Sequence, residues 1–161
     1  MTDSANPTAN QRFFKTGIVV TDLEAAMAEL GGQLGVEWTP VQAVALAVRT
    51  KVMLERLELN VVVSREGPTY LELIEAQPEG YYAAPDGSYL HHVGLWVDDL
   101  AAESARLEAA GWEREAAGEH EGAVPVAFAF HLSPWGLRIE LGDRANIPAW
   151  DAWTSGQGLE L

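Results

Sequence analysis

The chain has 161 residues, none of them cysteine, with 48% hydrophobic residues and a formal net charge of −14 at pH 7. This length predicts one domain or two closely associated half-domains with an apolar core, and the absence of cysteine excludes disulfides and thiolate metal sites. The acidic charge argues against binding to nucleic acid or anionic membranes, which needs a basic face, and no apolar stretch approaches the roughly 20 residues of a membrane-spanning helix.

The N-terminal half predicts a strand, a helix and three further strands. Residues 1–11 are polar and lack the apolar core of a signal peptide, so we expect a disordered N-terminus on a cytoplasmic protein. Thr21 and Glu24 have the spacing of a capping box, and apolar residues then recur at helical spacing. A first module of residues 12–76 thus contains the helix Leu23–Leu34 and the strands Phe13–Val20, Ala43–Val48, Leu57–Ser64 and Thr69–Glu75.

The C-terminal half predicts the same order of elements. Residues 77–88 are rich in turn-forming residues and predict a linker to a second module of residues 89–143. Its helix begins after Asp98 or Asp99 and ends near Ala110, and the tail of residues 144–161 predicts a short helix that packs on the body. The predicted strands of this module are Leu90–Val97, Trp112–Ala117, Val126–Leu132 and Leu137–Leu141.

An internal repeat supports this division. Residues 16–30 and 93–107 are identical at seven of fifteen positions at a constant offset of 77, and residues 70–73 resemble 138–141 at an offset of 68. A repeat of this length is a supersecondary unit. We therefore predict an α+β fold of two βαβββ modules, whose curved mixed sheets cover each other and enclose a cleft lined by both copies.

Four polar residues occupy equivalent places in the two copies. Lys15 is the counterpart of His92, and Glu72 is the counterpart of Glu140. Each glutamate lies in an apolar strand, where a carboxylate is costly unless it has a function. One imidazole and two carboxylates suit a divalent metal such as Zn, Fe, Mn, Ni or Co, although solvated edges of a sheet would explain the same residues.

Strand alternation sorts the neighbouring side chains. Trp96 shares a face with His92, and Tyr70 shares a face with Glu72. We therefore expect the two aromatic side chains either to line a ligand pocket or to pack in the core. His91 is predicted to face the other way and to be structural. The paired glycines Gly17 and Gly94 indicate the close approach of a side chain or ligand.

The two modules resemble the vicinal oxygen chelate superfamily, which includes glyoxalase I, bleomycin-resistance proteins, extradiol dioxygenases and methylmalonyl-CoA epimerase. The resemblance covers about residues 12–143 and rests on the segment His92–Leu100, which opens the second copy, and on Gly136–Leu141, which closes it. The doublet His91-His92 and the segment Leu71–Glu75 are similar to the glyoxalase-like branch near methylmalonyl-CoA epimerase.

The resemblance implies a metal site of Glu72, His92 and Glu140, with Lys15 where the family has a further histidine. A protonated lysine cannot bind a metal. Two alternatives follow: a divalent metal is held by three protein ligands and water, or there is no metal and the ammonium of Lys15 offsets the two carboxylates in an ion pair.

The resemblance also implies a small-molecule enzyme, an isomerase, epimerase or lyase that transfers a proton next to a carbonyl group. Glu72, Glu140 and Lys15 are its predicted catalytic residues, and Tyr70, Trp96 and Arg138 are predicted to bind the substrate. The alternative is a metal-free ligand-binding or antibiotic-sequestering protein of the bleomycin-resistance type. A dioxygenase ranks last because one histidine is missing. We also expect an anionic or aromatic ligand and a homodimer.

Overall fold

A computed structural model describes residues 12–118 and 125–158. The segment 1–11, predicted to be disordered, lies outside these residues. Among the described residues, no helix has the length and apolar character needed to cross a membrane.

Each module contains a strand, a helix and three strands in the predicted order. The first has the strands β1 (Phe13–Val20), β2 (Gln42–Thr50), β3 (Leu54–Val63) and β4 (Tyr70–Glu75) and the helix α1 (Leu23–Leu34). The second has the strands β5 (Tyr89–Val97), β6 (Glu113–Gly118), β7 (Val126–Leu132) and β8 (Arg138–Asp143) and the helix α2 (Leu100–Ala109). A 3₁₀ turn and the tail helix α3 (Ile147–Thr154) follow.

The two equivalent helices begin at equivalent aspartates. The carboxylate of Asp22 accepts a hydrogen bond from the backbone N–H of Ala25, and Asp99 accepts one from Ala102, both at 2.9 Å. Each bond satisfies one of the free N–H groups of a first helical turn. The capping residue of α1 is therefore Asp22, and the predicted capping role of Thr21 is wrong.

The eight strands form a closed barrel in the order β1-β4-β3-β2-β6-β7-β8-β5. The sheet is mixed, because β1 is parallel to β4 and β5 is parallel to β8 while the other pairs are antiparallel. The modules join at two seams, β1 with β5 and β2 with β6. The predicted α+β fold with a curved mixed sheet is confirmed, and the strands of both modules close into one barrel.

The seam between β1 and β5 contains two β-bulges at equivalent positions. The register passes from Phe13↔Leu95 to Lys15↔Gly94, which leaves Phe14 as an extra residue in β1. It then passes from Gly17↔His92 to Ile18↔Leu90, which leaves His91 as an extra residue in β5. A bulge interrupts the alternation of a strand and re-aims its side chains, so consecutive residues lie inside the barrel at both places.

Two helices pack on the barrel and one contributes to its interior. On the outside, α1 packs against a cluster that includes Val62 and Leu73, and α2 packs against one that includes Ala129. The tail helix α3 contributes Trp150 and Trp153 to the main core cluster, which also contains Phe14 and Trp96. The interior of the barrel is therefore lined by both modules and by the tail.

Candidate functional site

The barrel interior holds a cavity of about 150 Å³. Most of its wall is apolar and strongly aromatic, and four ionisable side chains interrupt it. The aromatic residues are Phe14, Tyr82, Trp96, Phe128, Phe130, Trp150 and Trp153, and the ionisable residues are Lys15, Glu72, His92 and Glu140.

The ammonium of Lys15 lies between the two glutamates. Its Nζ is 3.0 Å from Oε1 of Glu72 and 2.9 Å from Oε2 of Glu140. The Lys15 side chain is only 7% exposed, and the carboxylates come from the last strands of different modules. The lysine therefore forms one buried ion-pair network across the two halves of the repeat.

His92 lies beside the same carboxylates. Its Nε2 is 2.9 Å from Oε2 of Glu140 and 3.4 Å from Oε2 of Glu72. Neither contact has the alignment of a hydrogen bond, so both are electrostatic contacts. The Nδ1 of His92 faces the Nδ1 of His91 at 3.0 Å.

Glycines make room for the two basic side chains. Gly17 lies opposite His92 across the β1–β5 seam, and a Cβ on Gly17 would overlap the imidazole ring. Gly94 lies opposite Lys15, and a Cβ there would come within 2.6 Å of the lysine Cγ. The close approach predicted at both glycines is confirmed, and each copy leaves the space that the basic residue of the other copy fills.

The electrostatic field of the site keeps its groups charged. Burial lowers the pKa of Lys15, but the negative charges of Glu140 and Glu72 outweigh this effect, and the pKa lies above its usual value. Burial raises the pKa of both carboxyls, but Lys15 and His92 together outweigh it, so the pKa of Glu72 lies below its usual value and that of Glu140 falls to about 2. At neutral pH the site therefore holds an ammonium and two carboxylates.

The proton affinity of His92 follows from the same neighbours. Burial lowers the pKa of His92, but its contacts with Glu140 and Glu72 outweigh burial and raise the pKa above the usual value. A protonated His92 gives the site two positive and two negative charges. The four groups therefore balance one another inside an apolar wall.

The donor set for a metal is present, but Lys15 competes for it. Donor atoms of Glu72, His92 and Glu140 lie within 4.8 Å of one another, and Oε2 of Glu72 and Nε2 of His92 have no hydrogen-bond partner. However, the ammonium of Lys15 lies 2.9 Å from Oε2 of Glu140, the oxygen that also contacts Nε2 of His92. A metal at these donors and the ammonium would compete for the same carboxylates, so the residues do not fit a metal while Lys15 is charged.

The three residues predicted to bind substrate have different surroundings. Trp96 lines the cavity and stacks on Phe14 with ring centroids 3.8 Å apart. Tyr70 contacts the edge of Trp150 at 5.6 Å and is not among the cavity-lining residues. Arg138 lies outside the lining as well, and it binds the Glu115 carboxylate through Nε at 2.6 Å and Nη2 at 3.2 Å.

Sequence reasoning missed or misplaced several residues of the site. His91 is 2% exposed and contacts His92, so its predicted orientation away from the cleft is wrong, because the bulge cancels the alternation of β5. Phe14 lines the cavity for the same reason in β1. The tail helix was expected to pack on the body, and its Trp150 and Trp153 also line the cavity. The two tryptophans that lie close together in the tail were the sequence feature that could have indicated a role in the cavity.

A family model and several solved structures relate the chain to known proteins. Residues 14–130 match the family model described as the Glyoxalase/Bleomycin resistance protein/Dioxygenase superfamily. No curated protein matches the chain in sequence.

Solved structures share its fold at low identity. Methylmalonyl-CoA epimerase from Mycobacterium tuberculosis is 19% identical with a TM-score of 0.56, over 82% of this chain and 87% of the other. A variant of the Streptomyces coelicolor epimerase in complex with 2-nitronate-propionyl-CoA is 19% identical with a TM-score of 0.58, over 83% and 96%. A hypothetical protein from Bacillus halodurans C-125 is 17% identical with a TM-score of 0.58, over 82% and 93%.

Proposed function

Because this chain belongs to the Glyoxalase/Bleomycin resistance protein/Dioxygenase superfamily, we propose that it is an isomerase, epimerase or lyase that transfers a proton next to a carbonyl group. One observation supports this most directly: a buried network of Lys15, Glu72, His92 and Glu140 lies in an otherwise apolar cavity. The family model that matches residues 14–130 confirms the predicted resemblance to the superfamily. The activity is our proposal.

The energetic cost of this network supports a chemical role. Burying charged groups costs several kcal/mol per ion before pairing, and apolar residues of similar volume often stabilise a protein as well or better. A cavity that only enclosed an apolar ligand would gain nothing from four ionisable side chains. Ionisable side chains in the wall of a binding cavity are typical of sites that transfer protons.

Lys15 has a spare donor for a substrate oxygen. An ammonium has three N–H bonds, and two of them are matched by the carboxylates of Glu72 and Glu140. The third can be donated to the carbonyl oxygen of a substrate. Removal of a proton from the adjacent carbon places negative charge on that oxygen, where the fixed positive charge of Lys15 stabilises it.

Either glutamate can act as the base. In the ligand-free site both carboxylates have a lowered pKa because Lys15 lies beside them. As negative charge develops on the substrate oxygen beside Lys15, it offsets part of the ammonium charge and makes the neighbouring carboxylates more basic. One of them then takes the proton, while the second carboxylate keeps the lysine paired.

We propose that this chemistry proceeds without a metal. Glu72, His92 and Glu140 would be the residues to hold a divalent ion, which would supply a Lewis acid for the carbonyl oxygen. Lys15 already provides a positive charge at the two carboxylates. Metal analysis after growth in supplemented medium should give less than stoichiometric Zn, Mn, Fe, Co or Ni, and a stoichiometric metal that is lost in His92→Ala and Glu140→Ala would overturn this part.

The cavity limits the reacting part of the substrate. A dry cavity of about 150 Å³ in another protein binds benzene, so a group of that size fits this space. The aromatic wall, including Trp96, favours a flat or apolar group. We therefore propose a small carbonyl compound or the acyl part of a thioester.

Hydrogen exchange with solvent tests the proposal without knowledge of the product. A panel of small aromatic and aliphatic carbonyl compounds and acyl thioesters, including methylmalonyl-CoA, is incubated with the protein in D₂O and followed by NMR. The protein should incorporate deuterium next to the carbonyl, and Glu72→Gln or Glu140→Gln should lower the rate about 10²- to 10⁴-fold. The matched control is Glu113→Gln, which removes a carboxylate from an exposed ion pair with Lys51.

A metal-free binding protein is the second candidate, and the aromatic wall favours it. Seven aromatic residues line the cavity, which suits tight enclosure of an aromatic ligand. In this case the ion pairs remain closed and the ligand is returned unchanged. Binding with no deuterium exchange in the bound compound would support this candidate and contradict the enzyme.

A further inference from the structure

The bulge in β5 brings two consecutive histidines into contact inside the barrel. His91 and His92 are 2% and 1% exposed, and their Nδ1 atoms are 3.0 Å apart. The rings are perpendicular, with centroids 5.2 Å apart. In a regular strand such neighbours would point to opposite faces, so this contact depends on the bulge.

His91 is held in place on several sides. Its ring stacks on Tyr82 at a centroid distance of 5.1 Å and meets the edges of Tyr81 and Phe130 at 5.1 and 5.5 Å. Its backbone carbonyl accepts a hydrogen bond from Nη1 of Arg138 at 3.1 Å. The arginine is itself fixed by its two contacts with Glu115. The ring of His91 therefore has little freedom to move away from His92.

The geometry of the two rings limits where protons can be. Two facing Nδ1 atoms at this distance accommodate one proton, because two N–H groups would collide and two lone pairs would repel each other. On its other side, Nε2 of His92 lies close to oxygens of Glu140 and Glu72. An unprotonated Nε2 would place its lone pair beside these carboxylate oxygens, whereas an N–H is favoured there, so the proton belongs on Nε2.

We propose that His91 is a positioning residue that pairs with Nδ1 of His92 and thereby keeps the ring proton of His92 on Nε2, beside the carboxylates. This inference rests on the metal-free site proposed above. In this arrangement Nδ1 of His92 accepts the Nδ1 proton of His91, and His92 holds its own proton on Nε2.

NMR of ligand-free protein labelled with ¹⁵N-histidine tests this directly. The wild type should show a protonated Nε2 on His92 and a scalar coupling between the two Nδ1 atoms across their hydrogen bond. His91→Phe keeps an aromatic ring but removes the nitrogen, so the coupling should be lost and Nδ1-protonated His92 should appear. His91→Asn places amide atoms near the former Nδ1 and should restore the Nε2-protonated form.

The controls separate this role from folding and from the proposed activity. His131→Asn changes another buried histidine, which contacts the Ser104 hydroxyl at 3.0 Å, and should leave the His92 signals unchanged. An unprotonated Nε2 on His92 in the wild type, or absence of the Nδ1 coupling, would overturn the proposal even if the His91 variants fail to fold. The measurement needs no substrate, so it stands apart from the exchange experiment.

Discussion

Gly17 and Gly94 show how single residues shape the site. Each lies opposite the basic side chain of the other module, and each is next to a strand that carries a carboxylate, since Gly17 pairs with Glu72 and Gly94 with Glu140. A larger residue at either position would push the basic side chain away from the carboxylates. The glycines therefore set the distances on which the ion pairs depend.

We expect Gly17→Ala to destabilise the fold by about 2–3 kcal/mol, because the new methyl group overlaps the His92 ring. The control is Gly32→Ala in α1, where a Cβ meets nothing within 4 Å and the alanine should stabilise the helix by up to about 1 kcal/mol. Urea denaturation measures both. Equal effects of the two substitutions would contradict the close approach.

Lys15 stabilises the site because it pairs two buried carboxylates. Lys15→Met leaves Glu72 and Glu140 close together without their ammonium and should cost about 3–5 kcal/mol at pH 7. Lys51→Met breaks an ion pair whose side chains are 62% and 51% exposed and should cost less than about 1 kcal/mol. The free energies of unfolding compare the two, and a cost below about 1 kcal/mol for both would show that the buried network is not formed.

Glu140 makes the stability depend on pH in the acid range. Its folded pKa of about 2 lies below the usual value of 4.5, so its contribution is complete above pH 4.5 and is lost as the pH falls toward 2. The contribution is on the order of 3 kcal/mol. Between pH 5 and pH 3 the free energy of unfolding, measured by urea denaturation, should therefore fall less for Glu140→Gln than for the wild type. Parallel plots of this free energy against pH would contradict the lowered pKa of Glu140.

The tail helix α3 forms part of the cavity wall. Trp150 meets Phe14 at a centroid distance of 5.0 Å and Trp96 at 6.3 Å, and the Lys15 Nζ lies 5.6 Å from the centre of its ring. The helix thus connects the tail to the aromatic cluster and to the buried ammonium. Residues after β8 consequently determine the size and chemistry of the cavity.

We expect Trp150→Ala to cost about 3–5 kcal/mol, because a 5% exposed indole is removed from the interior. The enlarged cavity should also bind apolar dyes or bulkier ligands more tightly. Trp135→Ala is the control, since this indole is 95% exposed and its removal should change stability by at most about 0.5 kcal/mol. A small effect at Trp150 would mean that the tail helix does not pack into the barrel in solution.

Closure of the barrel makes the two modules depend on each other. Both seams join a strand of one module to a strand of the other, so neither module completes its sheet alone. The homodimer remains a prediction. Light scattering on the purified protein measures the molar mass and thus the oligomeric state.

Because of these seams we expect the modules to unfold in one transition. Urea unfolding followed by far-UV circular dichroism, by tryptophan fluorescence and by NMR signals of each module should give coincident curves. Two separated transitions, with the signals of one module lost first, would contradict a barrel held together by shared strand pairs.

Much of the fold is encoded locally and is therefore visible in the sequence. The repeat at an offset of 77 identifies two copies of one module, and alternating apolar residues mark their strands. The repeat also pairs Lys15 with His92 and Glu72 with Glu140, which the structure brings together. These features depend on residues close in the chain or on comparison of the copies.

Only the tertiary structure decides what the barrel interior contains. The bulges at Phe14 and His91 arise from the pairing of strands about 77 positions apart, so alternation within one strand predicted the wrong face for His91. The pairing of β1 with β4 and of β5 with β8 brings the two carboxylates to Lys15, and the packing of α3 brings the tail tryptophans to the cavity. Bulges, barrel closure and charge pairing depend on contacts between distant segments, and the hydrophobic periodicity of one strand does not specify which residues of a distant strand it meets.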